Sequence, residues 1–237
     1  MNRPTASLQI DVVILAGGLG SRLRPVLADR PKVLAPVGGT PFLAHLLDWL
    51  TRSNPARVVL CLGHLGSMVV DWLAAQPPRP FPVVPVIEPQ PMGTAGALRF
   101  ARSHLHSDPV LVLNGDTILD ADIGALLALH RSAGPQATLL CAPVTDTSRY
   151  GSVVTDGEGR VVAFMEKSGA SGPGLVSAGA LLLSGTVLDA IAAGEQKSIE
   201  HDVLPHLGHI RTMVHTGKFL DFGTPESFSQ AQASEFR

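Results

Sequence analysis

A chain of 237 residues, 45% hydrophobic and only 16% charged, has the composition of a compact globule with a sizeable core, which excludes a disordered segment. A formal net charge of −2 with no run of Lys and Arg excludes a nucleic-acid surface. Two cysteines, Cys61 and Cys141, exclude a disulfide framework or a zinc cluster and read as buried thiols, since both sit in apolar runs. The opening MNRPTASLQIDVV carries no apolar stretch with a cleavage site, and no apolar window reaches the ~18 residues of a membrane span. The expectation is a soluble cytoplasmic protein without membrane contact.

Apolar runs at 12–15, 57–62, 83–87 and 110–113 predict strands, and the patterns at 42–51, 67–75 and 95–103 predict helices between them. In the first helix Phe42, Leu43, Leu46, Leu47 and Leu50 recur at helical spacing. Strands alternating with helices predict parallel pairing, with helices covering the sheet. The segment PPRPFPVVP at 77–85 reads as a stiff connector, unable to be a central strand until its last prolines are past. Beyond it come a helix at 123–132 and strands at 137–142, 151–155, 161–165 and 175–183. Asp156-Gly157 predicts a hairpin turn by supplying positive φ angles. A helix at 199–207, a strand at 210–215 and a helix at 225–234 complete one α/β domain over residues 1–237. Its sheet is mixed, the C-terminal part adding antiparallel strands.

The chemistry begins where Val12-Val13-Ile14-Leu15 empties into Ala16-Gly17-Gly18-Leu19-Gly20-Ser21-Arg22. Glycines after a strand let the backbone approach a ligand, and their N–H groups can converge on an anion. The Walker pattern is excluded because no lysine precedes Lys32, and the dinucleotide fingerprint because Leu23 stands where its third glycine belongs. Arg22 offers a bidentate fork and Lys32 a point charge, both suited to phosphoryl oxygens; taken singly, each also suits a solvated loop. A second strand ends at Asn114-Gly115-Asp116, at the sheet edge where open α/β folds bind ligands. Asp116 suits Mg²⁺, a hard cation that shares oxygen ligands with phosphates, and equally suits a turn or cap. Asp120 and Asp122 compete for that role, although Asp122 is better placed to cap the helix beginning at Ile123. Asp221, amid Phe219, Leu220 and Phe222, needs a partner or a metal.

Taken together, LAGGLGSRLRP (15–25), the Pro31-Lys32 pair, APVGGTPFL (35–43), EPQPMGTAGAL (88–98), VLNGDTILDADI (112–123), SRYGSV (148–153), FMEK (164–167), SIEHDVLPHL (198–207) and FLDFGTPESF (219–228) resemble the sugar-1-phosphate nucleotidylyltransferase family. Within it the chain is similar to D-glycero-D-manno-heptose 1-phosphate guanylyltransferases. The resemblance implies a Rossmann-like mixed sheet flanked by helices, of the nucleotide-diphospho-sugar transferase (GT-A-like) type. Roughly residues 1–135 would bind nucleotide and 136–237 the sugar phosphate. It further implies nucleotidyl transfer from a nucleoside triphosphate, GTP favoured, to a sugar 1-phosphate, with Mg²⁺ as cofactor. Such sugar nucleotides feed lipopolysaccharide, capsule or S-layer glycan synthesis.

Carried over by motif, Arg22 and Lys32 are catalytic, and Asp116 and Asp221 hold the metal. Leu15, Ala16, Gly17, Gly18, Gly20, Ser21, Gly93, Thr94 and Asn114 contact nucleotide, with Gly93 left bare for a flat base. Gly151, Glu166, Lys167, Ser177 and Gly179 contact sugar and its phosphate. Two positions depart from the family pattern. Ser177-Ala178-Gly179 replaces Asn-Ala-Gly, putting sugar orientation in doubt, and Val33 follows Lys32 where proline is common. No histidine receives a chemical role. Mannose 1-phosphate with GTP, or another hexose 1-phosphate with UTP or dTTP, is the alternative enzyme reading. A catalytically silent sensor of sugar nucleotides is the alternative of another class, and the resemblance allows a monomer or a homodimer. A dinucleotide-dependent oxidoreductase is a poorer fit, since Cys61-Leu62-Gly63-His64 puts no acid at the end of the second strand.

Overall fold

The computed structural model describes residues 8–233, apart from 19, 21, 22, 24–26, 28, 149, 167–171 and 218. The chain opens with β1 (Asp11–Ala16), a small hairpin of β2 (Pro36–Val37) and β3 (Thr40–Pro41), α1 (Phe42–Thr51), β4 (Arg57–Leu62) and α2 (Gly66–Ala74). It continues through β5 (Val83–Ile87), α3 (Gly93–Ala101), β6 (Val110–Asn114), β7 (Thr117–Leu119), α4 (Ile123–Ala133) and β8 (Ala137–Val144). There follow β9 (Ser152–Thr155), β10 (Val161–Met165), β11 (Gly174–Leu183), α5 (Gly185–Ala193), β12 (Ile210–Val214), β13 (Phe219–Asp221) and α6 (Pro225–Ala233).

Nine strands form one mixed sheet, with the path β10-β9-β11-β6-β1-β4-β5 and with β8 carrying β12 on the far side of β11. β1 pairs in parallel with β4 and β6, and β4 with β5; β11 runs antiparallel to β6, β8 and β9. β5 is an edge strand, the position where Pro85 leaves no central ladder bond unmade. Along β1 the side chains alternate between two cores. Val12 and Ile14 join Phe42, Leu43, Leu46, Leu47 and Leu50 of α1 with α4 and α6, whereas Val13 joins Leu98 of α3 and Val187, Leu188 and Ile191 of α5. Each such side chain contributes about 1.5–3 kcal/mol by leaving water. Cys61 and Cys141 are buried as expected, and burial pushes both thiols up to about 12.

Two features of this topology build a cleft. The chain moves from β1 to β4 and β5, then returns to the other side of β1 as β6. The strand order therefore reverses between β1 and β6, and ligands bind at such switch points beyond the carboxyl ends of the strands. β11 outruns β6: its residues 180–183 pair with β6, and residues 175–176 pair with β9. The β9–β10 hairpin thereby overhangs the edge where β6 stops. At the register shift between Ser177 and Leu181, Gly179 adopts φ +73°. A Cβ there would lie 2.7 Å from the Thr117 hydroxyl, so only glycine fits.

Three expectations need correction. The segment read as a helix at 199–207 is a π-turn, Ile199–Val203, followed by a 3₁₀ turn, Leu204–His206; Pro205 denies the α-ladder a donor. A helix, α5, stands where none was expected. The 155–160 hairpin exists, but its positive φ falls on Gly159 and not on the Asp-Gly pair. Asp156 closes the loop by accepting from the N–H groups of Glu158 and Arg160, both at 2.9 Å. The Arg160 guanidinium on Oδ2, together with these bonds, holds its carboxyl down at about 2.

Candidate active site

The ends of β1 and β6 are stitched together tightly. The N–H of Gly115 donates to the carbonyl of Leu15 at 2.9 Å, and a Cβ on Gly115 would fall 2.7 Å from that oxygen. This closeness presents Asp116 beside the glycine loop. Lys32, in a 3₁₀ turn after the extended Pro31, reaches Asp116 Oδ2 with its Nζ at 2.6 Å. The same ammonium lies 5.1 Å over the ring of Phe222, a cation–π contact. Asp221 arrives by a separate route. β13 pairs antiparallel with β7, placing Asp221 opposite Thr117, and the N–H of Phe222 donates to Asp116 O at 3.2 Å. Backbone segments more than a hundred positions apart are thus joined next to Asp116 by a three-residue ladder. Asp122 caps α4, its Oδ1 accepting from the N–H of Ala125 at 3.0 Å, as expected of it.

Around this centre lies a cleft of two lobes. One, of about 200 Å³, is lined by Leu15, Ala16, Gly18, Gly20, Lys32 and Asp116, with Gly223 of the Asp221 strand end. The other, of about 340 Å³, is lined by Leu15, Gly17, Gly18, Gly93, Thr94 and Asn114, with Glu88, Glu200 and Asp116. The lobes meet at Leu15, Gly18 and Asp116. Every described residue that the motifs assigned to nucleotide therefore lines one cleft. Arg22, Ser21 and Lys167 lie outside the described residues.

The second lobe owes its walls to residues the motifs did not single out. Glu88 follows β5, its N–H donating to Leu62 O at 2.8 Å. Its side chain occupies the space that Gly17 and Gly63 leave: a Cβ on either would stand 2.8 Å from Glu88 Oε1. Burial pushes this carboxyl up, and the N–H of Met92 on Oε2 only partly offsets it. Gly93 lines the larger lobe and must also be bare for a reason internal to the fold. At φ +76° a Cβ would sit 2.3 Å from the carbonyl oxygen of Lys197, so bareness here serves the docking of the 197–203 segment. Thr94 is engaged in the same docking: its hydroxyl accepts from the N–H of Ile199 at 2.8 Å and donates to Glu200 Oε2 at 3.3 Å.

On the sugar side, Glu166 Oε1 pairs with His201 Nδ1 at 2.8 Å, both side chains being exposed. Gly151 is exposed with little room for a side chain, a Cβ meeting Met165 O at 3.1 Å. Ser177 is exposed on β11, and Gly179 is buried against Asn114 and Thr117. These residues sit around the β9–β10–β11 overhang and not in either lobe, which keeps the two halves of the candidate site distinct.

The donor set at Asp116 and Asp221 fits a magnesium ion. Two carboxylates at neighbouring strand ends offer hard oxygen donors and would leave most coordination positions for phosphate and water, as Mg²⁺ prefers. Among the described residues no group of three or more His, Cys, Asp or Glu forms a closed metal cage.

A profile of the nucleotidyl transferase family matches residues 11–236. The chain belongs to this family. It is 34% identical over 237 residues to a mannose-1-phosphate guanylyltransferase of Mycobacterium tuberculosis, which covers 98% of this chain but only 66% of that protein. It is 29% identical over 226 residues to the D-glycero-alpha-D-manno-heptose 1-phosphate guanylyltransferase of Aneurinibacillus thermoaerophilus, covering 94% and 97% of the two chains. The crystal structure of HddC from Yersinia pseudotuberculosis superposes with a TM-score of 0.84 at 32% identity, covering 94% of this chain and 98% of HddC. That protein has also been crystallised with GMP-PN, at a TM-score of 0.82. The nucleotidyl transferase fold, a mixed sheet with helices on both faces, is the architecture described above. No helix among the described residues is long and apolar enough to cross a membrane.

Proposed function

We propose that the chain transfers a guanylyl group from GTP to a sugar 1-phosphate, with D-glycero-D-manno-heptose 1-phosphate as acceptor, releasing pyrophosphate. The observation that carries the choice of base is Glu88, a half-buried carboxylate on the wall of the larger lobe. Guanine offers such an acceptor two adjacent donors, N1–H and the N2 amine. Uracil and thymine offer one, flanked by carbonyl oxygens that a carboxylate repels. The heptose acceptor draws support from a likeness that covers 97% of the heptose enzyme. A second reading, mannose 1-phosphate as acceptor, draws support from the 34% identity to the mycobacterial enzyme.

In this reaction an oxygen of the sugar phosphate attacks the α-phosphorus of GTP, and the bond to the bridging oxygen breaks as pyrophosphate departs. The attacking oxygen is already ionised, so no general base is needed; alignment and charge neutralisation are what the chain supplies. The glycine loop and Lys32 would face the phosphates from the smaller lobe, and Arg22 would hold the leaving pyrophosphate. Glu166 would accept from sugar hydroxyls, and Lys167 would neutralise the sugar phosphate. Asp116 and Asp221 would hold Mg²⁺, which contributes a charge sink shared among phosphate oxygens. The reaction is assigned to the cytoplasm, where the triphosphate is available.

The test is a pyrophosphate-release screen of GTP, ATP, UTP and dTTP against heptose, mannose and glucose 1-phosphates. GTP with the heptose phosphate should lead. A preference for UTP or dTTP would overturn the role of Glu88, and release with no pair at all would favour a silent sensor.

A further inference from the structure

Residues 197–203 clamp the start of α3. Lys197 O accepts the N–H of Ala95 at 3.0 Å, and the carboxylate of Asp202 gathers the N–H groups of Lys197 and Ser198 at 2.8 and 2.9 Å. Those two N–H groups pull the Asp202 carboxyl below its ordinary range. Within this anchored frame Ile199–Val203 winds as a π-turn, an irregularity frequent at functional sites. Its consecutive side chains serve different places. Glu200 lines the larger lobe beside Glu88, Gly93 and Thr94, whereas His201 pairs with Glu166 on the sugar side.

We propose that Glu200 reads the ribose, its carboxylate accepting a hydrogen bond from the 2′- or 3′-hydroxyl of the bound nucleotide. The inference rests on the reading of this lobe as the nucleotide site. A carboxylate only accepts, so it repels phosphate and requires a ligand donor; outside the base, a nucleotide's donors are its ribose hydroxyls. Of the two glutamates on this wall, Glu88 is half-buried, its carboxylate filling the space left by Gly17 and Gly63 at the inner end of the lobe, where the base edge is read. Glu200 is exposed and lines the same lobe as both Glu88 and Asp116, the lobe a ribose between base and phosphates would occupy. The carboxylate is also held ready. Thr94 and Ser198 donate their hydroxyls to Oε2, both at 3.3 Å, and Oε1 has no donor among the described residues.

The test compares kcat/KM for GTP, 2′-deoxy-GTP, 3′-deoxy-GTP and ITP, by pyrophosphate release, in the wild type, Glu200→Gln and Glu88→Gln. The wild type should favour GTP over at least one deoxy analogue by about tenfold, the scale of one hydrogen bond to a charged group. Glu200→Gln, whose neutral carbonyl is the weaker acceptor, should shrink that ratio severalfold and leave the GTP/ITP ratio intact, while Glu88→Gln should do the reverse. Equal use of GTP and both deoxy analogues by the wild type would overturn the proposal, whatever the variants do. So would a Glu200→Gln enzyme that loses activity on all four nucleotides alike, which marks a purely structural clamp, or one that shifts the GTP/ITP ratio instead. Should Glu200→Gln not fold, Glu200→Asp, which keeps the acceptor on a shorter stem, should weaken the ribose preference, and an unchanged preference would count against the assignment. Absence of turnover with every triphosphate would count against nucleotidyl transfer itself, a separate failure.

Discussion

Lys32 and Asp116, 84 positions apart, are joined by a 2.6 Å ion pair, with 15% of the lysine side chain exposed and 36% of the aspartate's. The ammonium occupies the carboxylate oxygen that a divalent cation would claim. On the proposed metal role, cation and ammonium would compete for Asp116, and displacing the lysine would free it to face phosphate. Lys32→Met should bind Mn²⁺ or Mg²⁺ more tightly than the wild type in the absence of nucleotide, by titration calorimetry, while turnover falls on the order of a hundredfold or more. Weaker metal binding in that variant would contradict the competition. Asp116→Asn should fold and lose nearly all turnover; full activity with Mg²⁺ would remove the metal role.

Glu88 links base choice to pH. Burial raises its pKa above the ordinary carboxylate value, so in the folded chain it takes up a proton at a higher pH than a free glutamate does. The protonated group is a poor acceptor, and KM for GTP should rise as pH falls through that raised pKa. Steady-state kinetics between pH 8 and 5 would show the rise, and Glu88→Gln should abolish it while relaxing the preference for GTP. A pH-independent KM in the wild type would tell against Glu88 as a contact.

Gly93 can be tested against Gly134. Both have positive φ, but a Cβ on Gly93 meets Lys197 O at 2.3 Å, and one on Gly134 meets nothing within 4 Å. Gly134→Ala should cost about 1 kcal/mol, the usual strain of a left-handed alanine. Gly93→Ala should cost roughly 2–4 kcal/mol, because the clash with the 197–203 clamp adds to the strain. Urea unfolding measures both, and equal losses would mean that the clamp yields freely.

His130, buried in α4 with its Nδ1 on the Thr138 hydroxyl at 2.9 Å, has its pKa lowered chiefly by burial. The unfolded chain protonates this imidazole near pH 6.5, the folded chain only at lower pH. Its contribution is therefore whole above about pH 6.5 and is lost as pH falls through the lowered value. His130→Gln should flatten the decline in melting temperature between pH 7 and 5; an identical slope in both proteins would exclude His130 as its source.

Much of this architecture was legible in the sequence because it rests on local pattern. The apolar runs of β1, β4 and β6 and the leucine spacing of α1 need no distant partner to be recognised. The α5 signal was also present: Val187, Leu188 and Ile191 at helical spacing, between Ser184 and Gly194, were overshadowed by the long apolar strand before them. The β7–β13 ladder was not legible, because three-residue strands declare themselves only when paired. Motif resemblance named Asp116 and Asp221, and that ladder is what brings their two backbone segments together. Glu88 and Glu200 sat inside quoted motifs without a role, since a carboxylate's facing a cleft is a tertiary fact.

A crystal of the protein grown with GMP-PN and a divalent cation tests the central claim most directly. The account predicts the phosphates in the smaller lobe, against Gly18 and Gly20 and between Lys32 and Asp116, with the guanine edge on Glu88. A triphosphate lodged elsewhere, for example in the groove beside Val70, Leu73 and Phe81, would contradict it.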